Sequence, residues 1–383
     1  MISRKEALKL GGAGAFALAS SRAIVAMAGA RPIAAPIPAG HGGSSSLSAE
    51  MRRLTTADLR ALPPLRPAGQ IRRTGRTRTF TLVLGSAMVE PLPGHSVQTR
   101  GVNGFSPGPV LHMTEGDDVE ITVVNRLAQP STIHWHGVPV PFAMDGAAMF
   151  SQEPIKPNEM FVYRWTAPQA GTYMYHAHYN DIDQENVFGM IVVAPQDATR
   201  EPRYALDVPI AINSIEWEQS RDTEAQAVLA NSMLMQAMAV NPKADPNPGM
   251  GDAMERMDMI EYWCFNGKTF PATDPIRVKN GDLVRIRFAN ISHMSHPIHL
   301  HGHWFRWIAQ DGAPLPDPRP MNTIPVDPGR TIDIDFIANN PGVWPLHCHI
   351  VSHMMDNHDA MSGLVTAIVY EGFTLPSAMQ AQT

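Results

Sequence analysis

Two segments of the chain repeat one strand pattern, and each leads within about ten residues into a cluster of histidines. Residues 118–125 (DVEITVVN) follow the turn residues EGD at 115–117, and residues 283–290 (LVRIRFAN) follow NGD at 280–282. Alternation of polar and apolar residues with a period of two is typical of a β-strand that buries one face. The repetition predicts two similar β domains in one chain.

Each repeat closes with an apolar strand pattern, GMIVVA at 189–194 and GLVTAIV at 363–369. We therefore predict an all-β chain of two sandwich domains, at residues 75–200 and 201–373, with a tail at 374–383. A chain of 383 residues is long enough to bury two such cores.

A methionine-rich insert at residues 225–260 interrupts the second domain, and its partly helical pattern is broken by NPKADPNPG at 241–249. Seven methionines lie in it: Met233, Met235, Met238, Met250, Met254, Met257 and Met259. Thioether sulfur is a soft ligand that selects Cu(I), whereas methionines at helical spacing also pack as an apolar lid. Both interpretations stay open.

The first thirty residues have the features of an export signal. The basic segment SRKEALK at 3–9 precedes the small and apolar run GGAGAFALAS, and Ala26-Met27-Ala28 has the form of a cleavage site. SRK resembles a twin-arginine signal with lysine at the second arginine, so we expect a periplasmic or secreted protein. An amphipathic first helix is the alternative. Residues 31–74, rich in Pro, Ala, Gly, Ser and Arg, are interpreted as a linker or arm.

Composition excludes some classes of function. A net charge of −6 with 17% charged residues gives no basic surface for nucleic acid, and no run after the signal is long enough to cross a bilayer. The two cysteines could form one disulfide, but Cys348 lies between two histidines and is better placed as a thiolate ligand. Cys264 lies in an apolar strand pattern and is expected to be a small buried residue.

Eight of the sixteen histidines form four His-x-His pairs. The pairs are His134/His136, His176/His178, His299/His301 and His347/His349. Residues two apart on a strand project from the same face, so each pair directs two imidazoles at a common point. Four such pairs, two in each half, predict metal sites rather than polar strand edges.

Strand parity separates a second kind of site from these pairs. Cys348 lies between paired histidines, so its sulfur points to the opposite face of the strand. His296 is three residues before His299 and has the parity that faces Cys348, and His353 lies in a segment that can turn back toward the thiolate. Two histidines and one cysteine form the trigonal set that suits blue copper, often with a weak axial methionine.

At these residues the sequence resembles the multicopper oxidase family, which includes laccases and bacterial copper-resistance oxidases. The motifs HWHG, HAH, HPIHLHGH and HCHIVSH stand in the family's order, and the resemblance covers about residues 100–370. NGFSPGPV at 103–110 and NPGVW at 340–344 resemble family sequence outside the ligands. The resemblance implies two cupredoxin-like Greek-key β-sandwich domains and four copper ions: one type 1, one type 2 and two type 3.

The resemblance also implies the ligands of each copper. His296, Cys348 and His353 would bind the type 1 copper, which accepts electrons from a reductant. His134 and His299 would bind the type 2 copper. The type 3 pair would be bound by His136, His176, His178, His301, His347 and His349. In the family this trinuclear cluster reduces dioxygen to water.

Two positions bear on proton delivery. Asp145 in Met-Asp-Gly resembles the family's acid near the cluster, although a plain turn aspartate is the alternative. Many bacterial relatives also carry an acid six residues after the cysteine, where this chain has Met354. A second proton relay would then use another group, such as Asp356 or Asp359.

The axial position departs from the family pattern as well. The family usually has Met, Leu or Phe ten residues after the cysteine, and that residue is His358. We infer a three-residue insertion and choose Met361, which directly precedes the closing strand; an axial histidine is the alternative. His358 is otherwise expected on a surface loop, as are His41, His95 and His112.

Domain number predicts the assembly. Most laccases have three such domains, whereas this chain resembles the two-domain oxidases, in which trinuclear sites are shared between neighbouring subunits of a trimer. We therefore expect a homotrimer closed by heterologous contacts. Copper nitrite reductases also have two domains, but their type 1 cysteine lies in the first, and they lack four His-x-His pairs.

The electron donor stays open between a phenol or aromatic amine, as for a laccase, and Cu(I), as for a cuprous oxidase; the acceptor would be dioxygen. A periplasmic copper-binding protein for storage or tolerance, without turnover, is the non-enzymatic alternative. The complete ligand sets favour the oxidase.

Overall fold

The computed structural model describes residues 71–179, 186–218, 259–354 and 361–380, all within one compact unit of residues 50–383. Several predictions fall outside these ranges: the export signal, most of the arm, residues 225–258 of the insert, and the end of the tail. His41, Asp356, His358 and Asp359 also lie outside them. The two domain boundaries stay predictions.

Eight strands occupy the first predicted domain. They are β1 (Thr77–Leu92), β2 (His95–Val102), β3 (Leu111–Thr114), β4 (Asp118–Asn125), β5 (Ile133–His136), β6 (Met160–Thr166), β7 (Gly171–Ala177) and β8 (Phe188–Ala194). One sheet has the order β2-β1-β4-β6 and the other β3-β8-β7-β5. The chain passes repeatedly from one sheet to the other, as in a Greek-key sandwich.

Eleven strands occupy the second predicted domain. They are β9 (Leu206–Glu218), β10 (Met259–Phe265), β11 (Ile276–Val278), β12 (Leu283–Asn290), β13 (His296–Leu300), β14 (Phe305–Gln310), β15 (Ala313–Met321), β16 (Thr323–Val326), β17 (Thr331–Ile337), β18 (Val343–Cys348) and β19 (Val365–Tyr370). The sheets have the orders β10-β9-β12-β17-β14-β15 and β11-β19-β18-β13-β16. The all-β prediction is confirmed, and β4 and β12 have the predicted bounds.

Helices are few and short in the part of the chain that the structure describes. They are three 3₁₀ turns, at Phe142–Met144, Ala198–Arg200 and Val351–His353, and one α-helix, α1 (Ser377–Gln380). None of these helices is long and apolar enough to span a membrane.

Each half has its own apolar core. One buried cluster lies between the two sheets of β1–β8 and centres on Trp135, Tyr163 and Tyr175; the other lies between the sheets of β9–β19 and contains Phe288 and Phe336. In β4 the buried apolar residues alternate with half-exposed ones, whereas in β12 the alternate residues Arg285 and Arg287 are buried as well.

The repeated strand pattern ends at two asparagines that make the same contacts. The Asn125 side-chain amide donates to the carbonyls of Gln129 and Ile155, and that of Asn290 donates to the carbonyls of Met294 and Val326. Both asparagines are fully buried. Each also accepts a hydrogen bond from the backbone N–H two residues later. The asparagine therefore closes the turn that leads into the next, histidine-bearing strand.

A buried polar contact joins the two halves at β7, β12 and β17. The hydroxyl of Thr172 donates to a carboxylate oxygen of Asp333 at 2.6 Å and accepts from Nη1 of Arg287 at 2.8 Å. The hydroxyl of Thr331 donates to the carbonyl of Thr172 at 2.8 Å. Because these groups are all buried, the contact fixes the face through which the halves meet in one chain.

Candidate metal centres

The first two His-x-His pairs face each other across adjacent strands. His134 on β5 lies directly opposite His176 on β7 in the antiparallel register. The ligand atoms of His134, His136 and His176 all lie within 4.8 Å of one another. His178 follows the end of β7, and its ring centroid lies 5.4 Å from that of His134. The structure thus gathers four imidazoles at one edge of the first sandwich.

The second two pairs repeat this arrangement. His299 on β13 lies directly opposite His347 on β18, and Nε2 of His301 lies 2.9 Å from Nε2 of His347. His349 follows the end of β18, with its ring centroid 5.7 Å from that of His299. We call His134, His136, His176 and His178 the first histidine set. The second histidine set is His299, His301, His347 and His349.

Backbone carbonyls fix the orientation of the leading histidine in each set. Nδ1 of His134 donates to the carbonyl of Asp145 at 2.8 Å, and Nδ1 of His299 donates to the carbonyl of Asn322 at 2.7 Å. A Cβ at Gly146 would lie 1.8 Å from the carbonyl of Ile133, so only glycine allows this loop to lie against β5. A proton on Nδ1 leaves Nε2 as the ligand atom of both rings.

The histidines at the centre of each set are held in the same way. Nδ1 of His176 donates to the carbonyl of Ala177, and Nδ1 of His347 donates to the carbonyl of Cys348, both at 2.8 Å. Burial lowers the pKa of His176 to about 3 and also lowers that of His347. Both rings are therefore neutral near pH 7, which is the form that binds metal.

The two histidine sets do not meet within one chain. Ring contacts join the members within each set, and among these eight described residues none joins one set to the other. His178 and His349 are exposed, and only His176 and His347 are buried. Each set is therefore a partial site at the surface of the chain.

A third cluster lies inside the second sandwich and contains the cysteine. Sγ of Cys348 lies 3.7 Å from Nδ1 of His296 and 3.8 Å from Nδ1 of His353. The two imidazole nitrogens lie 3.1 Å apart. All three residues are buried, so the chain gathers two imidazoles and one thiol in an apolar core.

Two local structures bring these three side chains together. Cys348 ends β18 opposite Ile298 of β13, so its sulfur points into the core while His347 points to the other face. His353 ends the 3₁₀ turn Val351–His353, which returns its ring to the cysteine. A Cβ at Gly363 would lie 2.1 Å from the His353 carbonyl, so the closing segment packs directly on this turn.

Comparison with known proteins decides the family. Residues 84–198 and 239–366 match two family models, each described as multicopper oxidase. The chain belongs to the multicopper oxidase family. It is 37% identical to Copper resistance protein A of Escherichia coli over 36% of this chain and 22% of that protein. It is 22% identical to Multicopper oxidase MmcO of Mycobacterium tuberculosis over 82% of this chain and 90% of that protein.

The fold is similar to that of solved members. The Blue Copper Oxidase from Nitrosomonas europaea superposes with a TM-score of 0.63 at 27% identity, covering 80% of this chain and 95% of that chain. The chain spans less than half the length of several curated relatives, among them Copper resistance protein A of Escherichia coli.

Copper is the cofactor of multicopper oxidases, and the donor chemistry of the three clusters fits it. A thiolate with two imidazoles suits a type 1 site, and imidazole alone suits type 2 and type 3 sites. Burial raises the pKa of Cys348 and, with the neighbouring His353 and His293, lowers that of His296 to about 3. Without metal the cluster holds no charge, so copper binding would displace the thiol proton.

Two further predicted residues, Asp145 and Met361, lie within the described ranges. The carboxylate of Asp145 lies 3.5 Å from Nδ1 of His134 and is about one-third exposed. Met361 is 47% exposed, and residues 355–360 before it lie outside the described ranges. The axial ligand therefore stays a prediction.

Three minor predictions have a clear outcome. Cys264 is fully buried, as expected. His95 and His112 are exposed, but they lie on β2 and β3 rather than on loops, so that part of the prediction was wrong. Both side chains face outward from a strand. A single polar residue in the sequence does not distinguish such a position from a loop.

Several contacts around the clusters were not predicted from the sequence. Ser292 places its hydroxyl 2.8 Å from Nε2 of His296, and Trp263 stacks on His353. His303 is buried, donates from Nδ1 to the carbonyl of His301 and lies 2.6 Å from the hydroxyl of Tyr370. Only His303 carried a sequence signal, because it ends the HPIHLHGH motif.

Proposed function

We propose that this protein is an oxidase that couples one-electron oxidation of a phenolic or Cu(I) reductant to four-electron reduction of dioxygen to water. The observation that carries the proposal is the position of Cys348. It joins the buried cysteine cluster through its side chain and the second histidine set through its backbone neighbours His347 and His349. A short covalent route between the two kinds of site suits electron transfer.

The proposed ligand roles follow the three clusters. His296, Cys348 and His353 hold the type 1 copper, with Met361 as axial ligand. His134 and His299 hold the type 2 copper. The type 3 pair is held by His136, His176, His178, His301, His347 and His349. Copper bound there would accept single electrons at the type 1 site and reduce dioxygen at the other three ions.

Asp145 is proposed to deliver protons to this reaction. Its carboxylate is partly exposed and lies beside His134, so it has access both to solvent protons and to the cluster. Its backbone carbonyl has a separate task, because it orients the His134 ring. The two tasks can be separated by a substitution that keeps the backbone.

We propose that the trinuclear site forms between subunits of a homotrimer. Among the described residues no ring contact joins the two histidine sets within one chain, and His178 and His349 are exposed. Large apolar side chains lie exposed in the loops after β5, with Phe142 73%, Met149 70% and Phe150 83% exposed. An exposed apolar patch beside an incomplete metal site suits a subunit interface.

The proposed location is the periplasm or the exterior of the cell. The amino-terminal segment supports export, and a twin-arginine route would suit a protein that acquires its metal while folding. The donor is open between a phenol and Cu(I), for which the methionine-rich insert supplies soft ligands.

Oxygen uptake by the copper-loaded protein tests the proposal. We expect uptake with Cu(I), with 2,6-dimethoxyphenol, or with both. Deleting about residues 230–259 should abolish only the Cu(I)-dependent uptake if the insert binds that donor. Uptake with neither donor, in a protein that holds its full copper complement, would instead support the copper-storage alternative.

A further inference from the structure

Trp263 lies against both imidazoles of the cysteine cluster. Its indole stacks on the His353 ring with centroids 4.2 Å apart and planes 27° apart, and it meets the His296 ring edge-on at 4.9 Å. Trp263 is 8% exposed and belongs to the apolar core of the second sandwich. One side chain thus covers the two nitrogen ligands proposed for the type 1 copper.

The two imidazoles are held by different means. His296 is fully buried, and its Nε2 lies 2.8 Å from the hydroxyl of Ser292, so a hydrogen bond fixes that ring. Within the described part of the chain, the polar contacts of the His353 ring all involve Nδ1, its proposed ligand atom. The orientation of His353 therefore depends on stacking against Trp263 and on the turn that carries it.

We propose that Trp263 is a positioning residue of the cysteine cluster, which orients His353 and excludes water from the bound copper. The inference rests on the proposed type 1 role of this cluster. Groups around a metal site orient its ligands and control the local dielectric, and through these they control metal affinity and redox potential. Water disfavours the less charged cuprous state relative to the cupric state, so an indole that excludes water raises the potential.

β10 gives Trp263 a rigid base for this task. The strand pairs with β9 in continuous antiparallel register, with Trp263 opposite Ser214. Substitution of Trp263 should therefore change the cluster without moving the strand. Trp263→Leu keeps an apolar side chain but removes the stack, and Trp263→Phe keeps an aromatic ring. Trp307 is the matched control, because it packs against the same core but lies on β14, which β9, β12 and β17 separate from β10.

The test titrates metal-free protein with Cu(II) against a competing chelator and follows the blue thiolate-to-copper band. We expect Trp263→Leu to lower Cu(II) affinity about 10- to 100-fold, to lower Cu(I) affinity by more, and so to alter the band and shift the type 1 potential downward. Trp263→Phe should restore most of each property, and Trp307→Phe should match the wild type. Wild-type affinity, band and potential in a natively folded Trp263→Leu protein would overturn the proposal.

Fluorescence gives a second measurement that survives poor folding of the leucine variant. Cu(II) bound beside Trp263 should quench its emission, so the wild type should lose more emission than Trp263→Phe as the blue band develops. Equal losses would show that Trp263 is not in contact with the site. Neither measurement uses oxygen turnover. An inactive wild type with these Trp263 effects would overturn the proposed oxidase and leave this inference standing.

Discussion

Nδ1 of His134 donates a hydrogen bond to the backbone carbonyl of Asp145, while the carboxylate of the same aspartate lies 3.5 Å from that nitrogen. The residue therefore orients a metal ligand through its backbone and leaves its side chain for another task. Any side chain at this position keeps the carbonyl, which makes the proton-delivery proposal testable by substitution.

Asp145→Asn should keep copper binding and lose proton delivery. Loss of a general acid typically costs about 10²- to 10⁴-fold in rate, so we expect a fall in kcat of this order. The copper content should not change, and neither should the rate at which an oxidant other than dioxygen re-oxidises the reduced blue site. A variant with wild-type kcat and pH profile would assign Asp145 to the turn alone. Asp317→Asn, at an exposed residue of β15, is the control.

Cys348→Ser should remove the blue colour and donor oxidation together, because serine oxygen does not replace the thiolate of a type 1 site. The copper bound by the histidine sets should remain, since those sets keep all their imidazoles. Cys264→Ser is the matched control: it removes the other cysteine, which is equally buried but lies on β10. Donor turnover in Cys348→Ser would disprove the proposed electron route.

Subunit sharing predicts complementation between inactive variants. One variant would carry His134→Ala and His176→Ala, and the other His299→Ala and His347→Ala. If each trinuclear site combines sets from two subunits, co-assembled variants should regain oxygen uptake, because some interfaces pair an intact first set with an intact second set. If the two variants form mixed trimers that stay inactive, both histidine sets of one trinuclear site come from the same chain. Size-exclusion chromatography with light scattering gives the assembly state.

Acid should destabilise the metal-free protein. Burial lowers the pKa of His176 and of His296 to about 3, below the ordinary imidazole value. The unfolded chain then binds protons that the folded chain does not. Above about pH 6.5 both imidazoles are neutral in the folded and the unfolded chain, so they cause no loss of stability. As the pH falls from about 6.5 toward 3, the free energy of unfolding falls by at most about 1.4 kcal/mol per pH unit for each group.

Urea unfolding of metal-free protein at several pH values measures this effect. His176→Gln should flatten the loss of stability between pH 6.5 and pH 4, because the substituted residue does not titrate. The control His112→Gln changes an exposed residue of β3 and should leave the slope as it was. If the pH dependence of the unfolding free energy is unchanged in His176→Gln, His176 does not cause the acid destabilisation.

The buried contact between the halves should contribute measurably to stability. Thr172→Val keeps the shape of the side chain but removes the hydroxyl that bonds to Asp333 and Arg287. Leaving buried polar groups unpaired costs about 1–3 kcal/mol, so the free energy of unfolding should fall by that amount. Thr122→Val, on the half-exposed face of β4, should change it by less than about 0.5 kcal/mol. Equal effects would exclude a special role for Thr172.

Period-two patterns made the fold predictable, because the sidedness of a strand is a local property of the sequence. The bounds of β4 and β12 followed from alternation, and the opposite directions of Cys348 and His347 followed from their adjacency. The repeated asparagines that end these strands were visible as a motif, although their buried hydrogen bonds were not.

Tertiary structure alone decided which groups surround the ligands. Trp263 reaches His353 only because β10 lies over the cysteine cluster, and its sequence neighbours are those of an ordinary buried strand. The Asp145 carbonyl meets His134 only because a glycine lets the loop return to β5. The sequence by itself determined the strands, the pairing of the histidines and the family. The separation of the two histidine sets was decided by the packing of one sandwich on the other, a long-range interaction that no local pattern encodes.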